Sequence, residues 1–261
     1  MKNEKPEELV DLRNTDLKDL NKEYLHVDPL RLAYRTSIIE TPEVDRALLT
    51  HHVALLVIDL QYLDAAQGHG VFADVTQSGV PIEAQEYYFK RLDHVVLPNV
   101  RRLQDGFRDL KLEVIHTRIQ SLTRDGRDRS VGHRRLRLHA PPGSKEAEFL
   151  PEVAPKGDEI VINKTASGVF NATNIEYILR NLKIDSLYVC GVYTNECVST
   201  TVRDACDRGF HTTLINDACA TVTPELHNAT ISTLRDRYSR VMTADEVLKE
   251  IREAGKNESR K

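Results

Sequence analysis

The sequence predicts an α/β fold in three layers, α/β/α, built on a mostly parallel open sheet. Two observations predict it. Six short runs rich in Val and Ile recur along the chain, VALLVID, LEVIHT, EIVIN, SLYVCGV, HTTLIN and RVMT, and amphipathic stretches separate most of them. Nearly continuous apolar runs suit strands buried on both faces, the condition of a parallel sheet covered by helices. A third observation concerns function: Asp59, Lys164 and Cys197 each stand at or just beyond the end of such a run.

Taken in order, residues 1–50 carry no sustained period, and Pro29 and Pro42 interrupt any helix there, so this stretch is an extension. Its apolar groups, Tyr24-Leu25 and Leu30, Leu32 and Tyr34, predict that it packs on the body or on a neighbouring subunit. A single domain over residues 51–255 opens with VALLVID, followed by a helix over Ala84 to Phe107 and the strand LEVIHT. Arg118 to Arg137 holds Arg124, Arg127, Arg129, Arg134 and Arg135 broken by Asp125 and Asp128, the composition of a solvated loop. EIVIN, a helix over Ala172 to Leu182, SLYVCGV, a helix over Asn195 to Arg208, HTTLIN, a helix over Pro224 to Tyr238 and RVMT complete the alternation. Residues 256–261 read as a disordered tail.

Composition excludes several classes. The 261 residues are 40% hydrophobic and 29% charged with a net charge of −4, which excludes a disordered chain and gives no basic footprint for nucleic acid. No run approaches the roughly 18 apolar residues of a membrane span, and Met1 to Val10 lacks the apolar core of a signal peptide, so no membrane partner and a cytoplasmic location are expected. The four cysteines, Cys190, Cys197, Cys206 and Cys219, crowd into one segment without CxxC spacing and read as reduced thiols.

In open parallel sheets the ligand crevice lies at the carboxyl ends of the strands. Asp59 closes the first run as a candidate base. Lys164 follows EIVIN, where a buried ammonium meets an anion. Cys197 lies where a helix begins, with Thr194 or Asn195 as its cap, so unpaired amides and the macrodipole are expected to favour its thiolate. Each residue alone has a plain structural reading: a loop-capping aspartate, a surface lysine, a buried cysteine. Cys190, Cys206 and Cys219 keep that reading.

VALLVIDLQ around Asp59, INKTASGVF after Lys164 and CGVYTNECVSTTVRDACDRGF around Cys197 together resemble the isochorismatase-like cysteine hydrolase family, over roughly Val53 to Thr243 and nearest to its amidohydrolase members. The resemblance implies an isochorismatase-like sheet, an Asp59, Lys164 and Cys197 triad, hydrolysis through a covalent thioester, and a non-proline cis peptide at Val192-Tyr193. It places the oxyanion against the backbone amides of Tyr193 and Cys197.

The resemblance also frames the substrate. Family members that bind a metal do so through an Asp-x-His pair, and here the second strand ends His116-Thr117-Arg118-Ile119 without one; His69, His133 and His139 look too scattered to form a site. No metal and no cofactor are expected. A small ureide, biuret-like or an N-carbamoyl compound, is the expected substrate, with Phe170, Tyr193 and Asn195 lining the pocket and Arg118 available to a substrate carboxylate. A surface salt bridge suits Arg118 equally well. A homo-oligomer, dimer or tetramer, is the expected assembly. An isochorismatase-type vinyl ether hydrolase and a catalytically silent interaction subunit stay open as alternatives.

Overall fold

The computed structural model describes residues 42–76 and 78–258. The apolar groups expected to anchor the extension, from Tyr24 to Tyr34, and the end of the tail, 259–261, lie outside the described residues. Six strands form one sheet: β1 (Val53–Ile58), β2 (Glu113–Ile119), β3 (Ile160–Lys164), β4 (Ser186–Val192), β5 (His211–Ala220) and β6 (Arg240–Met242). Their order is β3-β2-β1-β4-β5-β6 and every pairing is parallel. Each strand grew from one predicted run. Continuous apolar side chains are what a strand with helices above and below requires, and β1 is buried at all six positions.

The helices are α1 (Pro42–Leu49), α2 (Tyr62–Ala65), α3 (Ile82–Arg91), α4 (Leu97–Asp109), α5 (Val131–Arg135), α6 (Val169–Ala172), α7 (Ile175–Asn181), α8 (Ser199–Asp207), α9 (Pro224–Leu234) and α10 (Ala244–Glu258). The stretch expected as one helix over Ala84 to Phe107 is α3 and α4 joined by a π-turn over Leu92–Val96. Pro98 explains the join: it brings no N–H to the ladder, and the wider turn, in which Leu97 donates to Leu92, seats it at the start of α4. From the expected extension, α1 puts Val44, Ala47 and Leu48 into the main core. The carboxyl-terminal helix α10 escaped the sequence reading; it buries Val247, Leu248 and Ile251 against the same core.

Chain order on the sheet reverses between β1 and β4, since β2 and β3 lie to one side and β5 and β6 to the other. That reversal opens a crevice at the strands' carboxyl ends. Gly191 lets β4 approach β1 there: at φ +120° it has no Cβ, and one would lie 2.0 Å from the Ile58 carbonyl oxygen. Past β1 the chain is held by residues 148–150, with Tyr62 donating to Glu148 O at 2.9 Å and Leu150 to Leu60 O at 3.0 Å. The Gln61 side chain adds a clamp, donating to Ile119 O at 2.9 Å and accepting from Ile119 N at 2.6 Å.

Candidate active site

The crevice gathers three of the predicted residues. Asp59 follows β1; its amide donates to Thr117 O at 3.0 Å, which carries the ladder one residue beyond the strand. Its φ of +54° then turns the chain away, a conformation that a short polar side chain tolerates. Lys164 ends β3 fully buried, and Cys197 lies in a π-turn, Thr194–Val198, that joins β4 to α8. Lys164 Nζ stands 2.7 Å from Asp59 Oδ2 and 3.3 Å from Cys197 Sγ. It also donates to Ala166 O at 3.1 Å, so the three donors of the ammonium are all used. Thr117 Oγ1, on the strand between, donates to the other Asp59 oxygen at 3.1 Å.

Burial sets the resting protonation. It pushes the Cys197 thiol well above its ordinary range; Lys164 pulls it back, but Asp59 and Asp64 push it up again. The resting sulfur is therefore a thiol. Against the expectation that a helix start would favour thiolate, burial at 4% exposure and the two carboxylates act on the sulfur in the opposite direction. Neither expected cap acts as one: Thr194 Oγ1 pairs with His227 Nδ1 at 2.9 Å, and Asn195 Oδ1 accepts from Thr221. For Lys164, burial favours the neutral amine, yet Asp59 and then Cys197 overcome it and hold the group charged, with its pKa raised.

Tyr193 and Asn195 flank Cys197, and the Val192-Tyr193 peptide is cis. The Tyr193 hydroxyl donates to Asp64 O at 3.1 Å, and its ring lies 5.3 Å from that of Tyr88. Phe170 and Arg118 are not brought to this group. Phe170, on α6, packs against Phe210 at 5.7 Å with the Arg208 guanidinium 5.3 Å above its ring. Arg118 alternates with Thr117 along β2 and faces away, donating to Asn163 Oδ1 at 2.8 Å and Ala147 O at 2.9 Å beside the Phe149 ring. Sequence reasoning missed Asp64 on α2, His133 on α5 and Glu196 in the turn that holds Cys197, all of which interact electrostatically with Lys164. Among the described residues, no group of three or more His, Cys, Asp or Glu is arranged to hold a metal ion. No helix among them is long and apolar enough to cross a membrane.

Residues 53–246 match the isochorismatase domain model. The chain belongs to the isochorismatase family. This family hydrolase is 30% identical to the isochorismatase family protein YwoC of Bacillus subtilis over 60% of its own length and 84% of that protein. It is 26% identical to N-carbamoylsarcosine amidase of an Arthrobacter species, over 59% of its own length and 60% of the amidase. With the ureidoacrylate amidohydrolase RutB of Acinetobacter baylyi it shares 35% identity over 36% of its own length and 38% of that enzyme. In fold it is similar to a cysteine hydrolase from Pseudomonas syringae pv. phaseolicola, with a TM-score of 0.64 at 21% identity over 78% of this chain and 94% of the other.

Proposed function

We propose that this isochorismatase-family hydrolase is a cysteine-dependent amidohydrolase that cleaves a C–N bond of a small ureide, biuret-like or an N-carbamoyl compound. One observation carries the reading: a single buried ammonium touches both a carboxylate and a thiol at the mouth of the β1/β4 crevice. A lysine serving only structure would satisfy the carboxylate and leave the sulfur alone. Relatives named as N-carbamoylsarcosine amidase, maleamate amidohydrolase and ureidoacrylate amidohydrolase favour amide substrates.

In this mechanism Cys197 Sγ attacks the substrate carbonyl while Asp59 takes the thiol proton. The resting thiol makes that transfer part of the reaction, and Lys164 offsets the negative charge as it passes from carboxylate to sulfur. The backbone amides of Tyr193 and Cys197 receive the oxyanion; donors of this kind contribute about 10²- to 10³-fold each. The C–N bond then breaks, the leaving nitrogen takes the proton from Asp59, and ammonia or an amine departs. Water, deprotonated by Asp59, attacks the thioester or thiocarbamate, releasing the acid and returning the proton to sulfur. Arg118 and Phe170 stay outside these steps, while Asn195 lines the approach to Cys197.

Ammonia release from a panel of ureides and primary amides, beside carbonyl release from a vinyl ether, tests the reading. Turnover of ureides and amides is expected; cleavage of the vinyl ether alone would replace it with an ether hydrolase.

A further inference from the structure

Two buried side chains beside the proposed triad have unspent hydrogen-bonding capacity. Asp64 is 2% exposed, and neither of its carboxyl oxygens has a partner. His133 is also 2% exposed, and neither of its ring nitrogens has one. Buried polar atoms without partners are costly, on the order of 1–3 kcal/mol each, so four of them around one site mark places made for something else to bind.

Both residues are held firmly. The Asp64 main chain is anchored by two hydroxyls, Tyr88 donating to its carbonyl at 2.8 Å and Tyr193 at 3.1 Å, and the second of these belongs to the nucleophile turn. Gly70 closes over the preceding residue, where a Cβ would lie 2.0 Å from Leu63 O. His133 sits on α5, whose cap Ser130 accepts from His133 N at 3.1 Å and whose first turn is tied by Ser130 N to Thr165 O at 2.9 Å, one residue past Lys164. Asp64 therefore arrives from the turn after β1 and His133 from the segment after β2, and both interact electrostatically with Asp59 and Lys164.

We propose that Asp64 and His133 are the substrate-recognition residues of this site and that together they read the alternating N–H and C=O edge of a ureide. The proposal rests on the amidohydrolase reading and deepens its ureide assignment, giving Asp64 and His133 the task of recognising the second nitrogen beside the attacked carbonyl. The protonation of the two groups suits that edge. Burial, then the Asp59 carboxylate, push the Asp64 carboxyl well above its ordinary range, which leaves one O–H donor beside one acceptor. Burial, then Lys164, lower His133 to about 4, so its neutral ring likewise offers one donor and one acceptor. A ureide supplies a matching acceptor and donor in sequence; its carbon analogue, with CH2 in place of the second N–H, leaves a buried acceptor unpaired. A site that hydrogen-bonds a substrate group discriminates strongly against the analogue that lacks it.

The test uses two matched pairs, biuret with malonamide and N-carbamoylglycine with succinamate, each pair differing by NH against CH2. The full-length protein should turn over each ureide at least 10-fold faster in kcat/KM than its carbon partner. Asp64→Leu should lower kcat/KM for the ureides by about 10- to 100-fold, mainly through KM, and for the carbon analogues by less, so that the preference within each pair shrinks. Asp64→Asn, which keeps a donor and an acceptor, should restore most of the loss, and His133→Phe should reproduce it in part. The rate of Cys197 alkylation by iodoacetamide reports whether each variant keeps its site assembled, and calorimetry on Cys197→Ala reads binding of the same four compounds without turnover. Equal binding of both members of each pair, or an Asp64→Leu variant with normal alkylation that loses ureides and carbon analogues alike, would overturn the recognition role while the amidohydrolase reading stands. Failure of the wild type to hydrolyse any of the four would take both.

Discussion

Cys190 and Cys197 share one strand-and-turn segment, and burial pushes both thiols well above their ordinary range, yet their surroundings differ in kind. Cys190 lies inside β4, where its sulfur is 3.8 Å from Leu56 O and the titratable group it interacts with is another thiol, Cys219. Cys197 has passed the strand end and meets the Lys164 ammonium at 3.3 Å. Burial is common to both thiols. What separates them is a compensating charge already in place, ready to stabilise the anion at the moment it forms.

The sharpest way to break that contrast is Cys197→Ala. It should lower turnover by on the order of 10⁴-fold or more, the scale on which loss of a nucleophile registers, while thermal unfolding stays near that of the wild type. Residual activity within tenfold of the wild type would move the chemistry elsewhere. Lys164→Ala comes next. Lys164 is the group that pulls the Cys197 pKa down, so its removal should shift iodoacetamide alkylation of Cys197 to higher pH. It also strands the buried Asp59 carboxylate and should cost about 3 to 5 kcal/mol in stability. An unchanged alkylation profile would dissociate the lysine from the sulfur.

Two histidines extend the comparison. His227 and His133 are both lowered to about 4, first by burial, but His227 is satisfied by Thr194 at 2.9 Å and Asn216 at 2.8 Å whereas neither His133 nitrogen has a partner. Because the folded state holds both rings neutral, their contribution to stability is complete above the unfolded histidine value of about 6.5 and is lost as pH falls toward 4. Urea unfolding at pH 7.5, 6 and 5 should show the midpoint dropping with acid. A flat profile would mean that the folded rings accept protons freely. The smallest effect belongs to Cys190→Ala: catalysis should be unchanged, with a stability loss of about 1 kcal/mol for the vacated volume. Loss of activity there, in a folded protein, would erase the distinction between the two cysteines.

The strands were readable because burial on both faces writes itself as uninterrupted Val, Ile and Leu. The meeting of Asp59, Lys164 and Cys197 was readable because all three follow such runs. Asp64 was not. It lies in YLDAAQ, where one acidic residue among apolar neighbours looks like the exposed position of a short helix, and only the turn after β1 carries it inward. His133 was hidden by its company: Arg134, Arg135 and Arg137 are exposed as a solvated segment should be, and the single inward residue among them breaks no pattern. A sequence records which side chains avoid water more clearly than which polar ones have been taken from it.

The Gln61 clamp bears on how this crevice can change over generations. Its primary amide occupies the place of a peptide group, meeting both the N–H and the C=O of Ile119 and donating again to Glu146 O at 2.7 Å. A side chain thus extends the ladder past the bend at Asp59. Glutamate, one nucleotide substitution away in any glutamine codon, keeps the shape but has no N–H for the two carbonyls; asparagine keeps the chemistry but is a methylene too short. The tie between the turn after β1, the end of β2 and Glu146 therefore rests on one amino acid, and inherited variation in this part of the crevice is expected to accumulate around that position instead of through it.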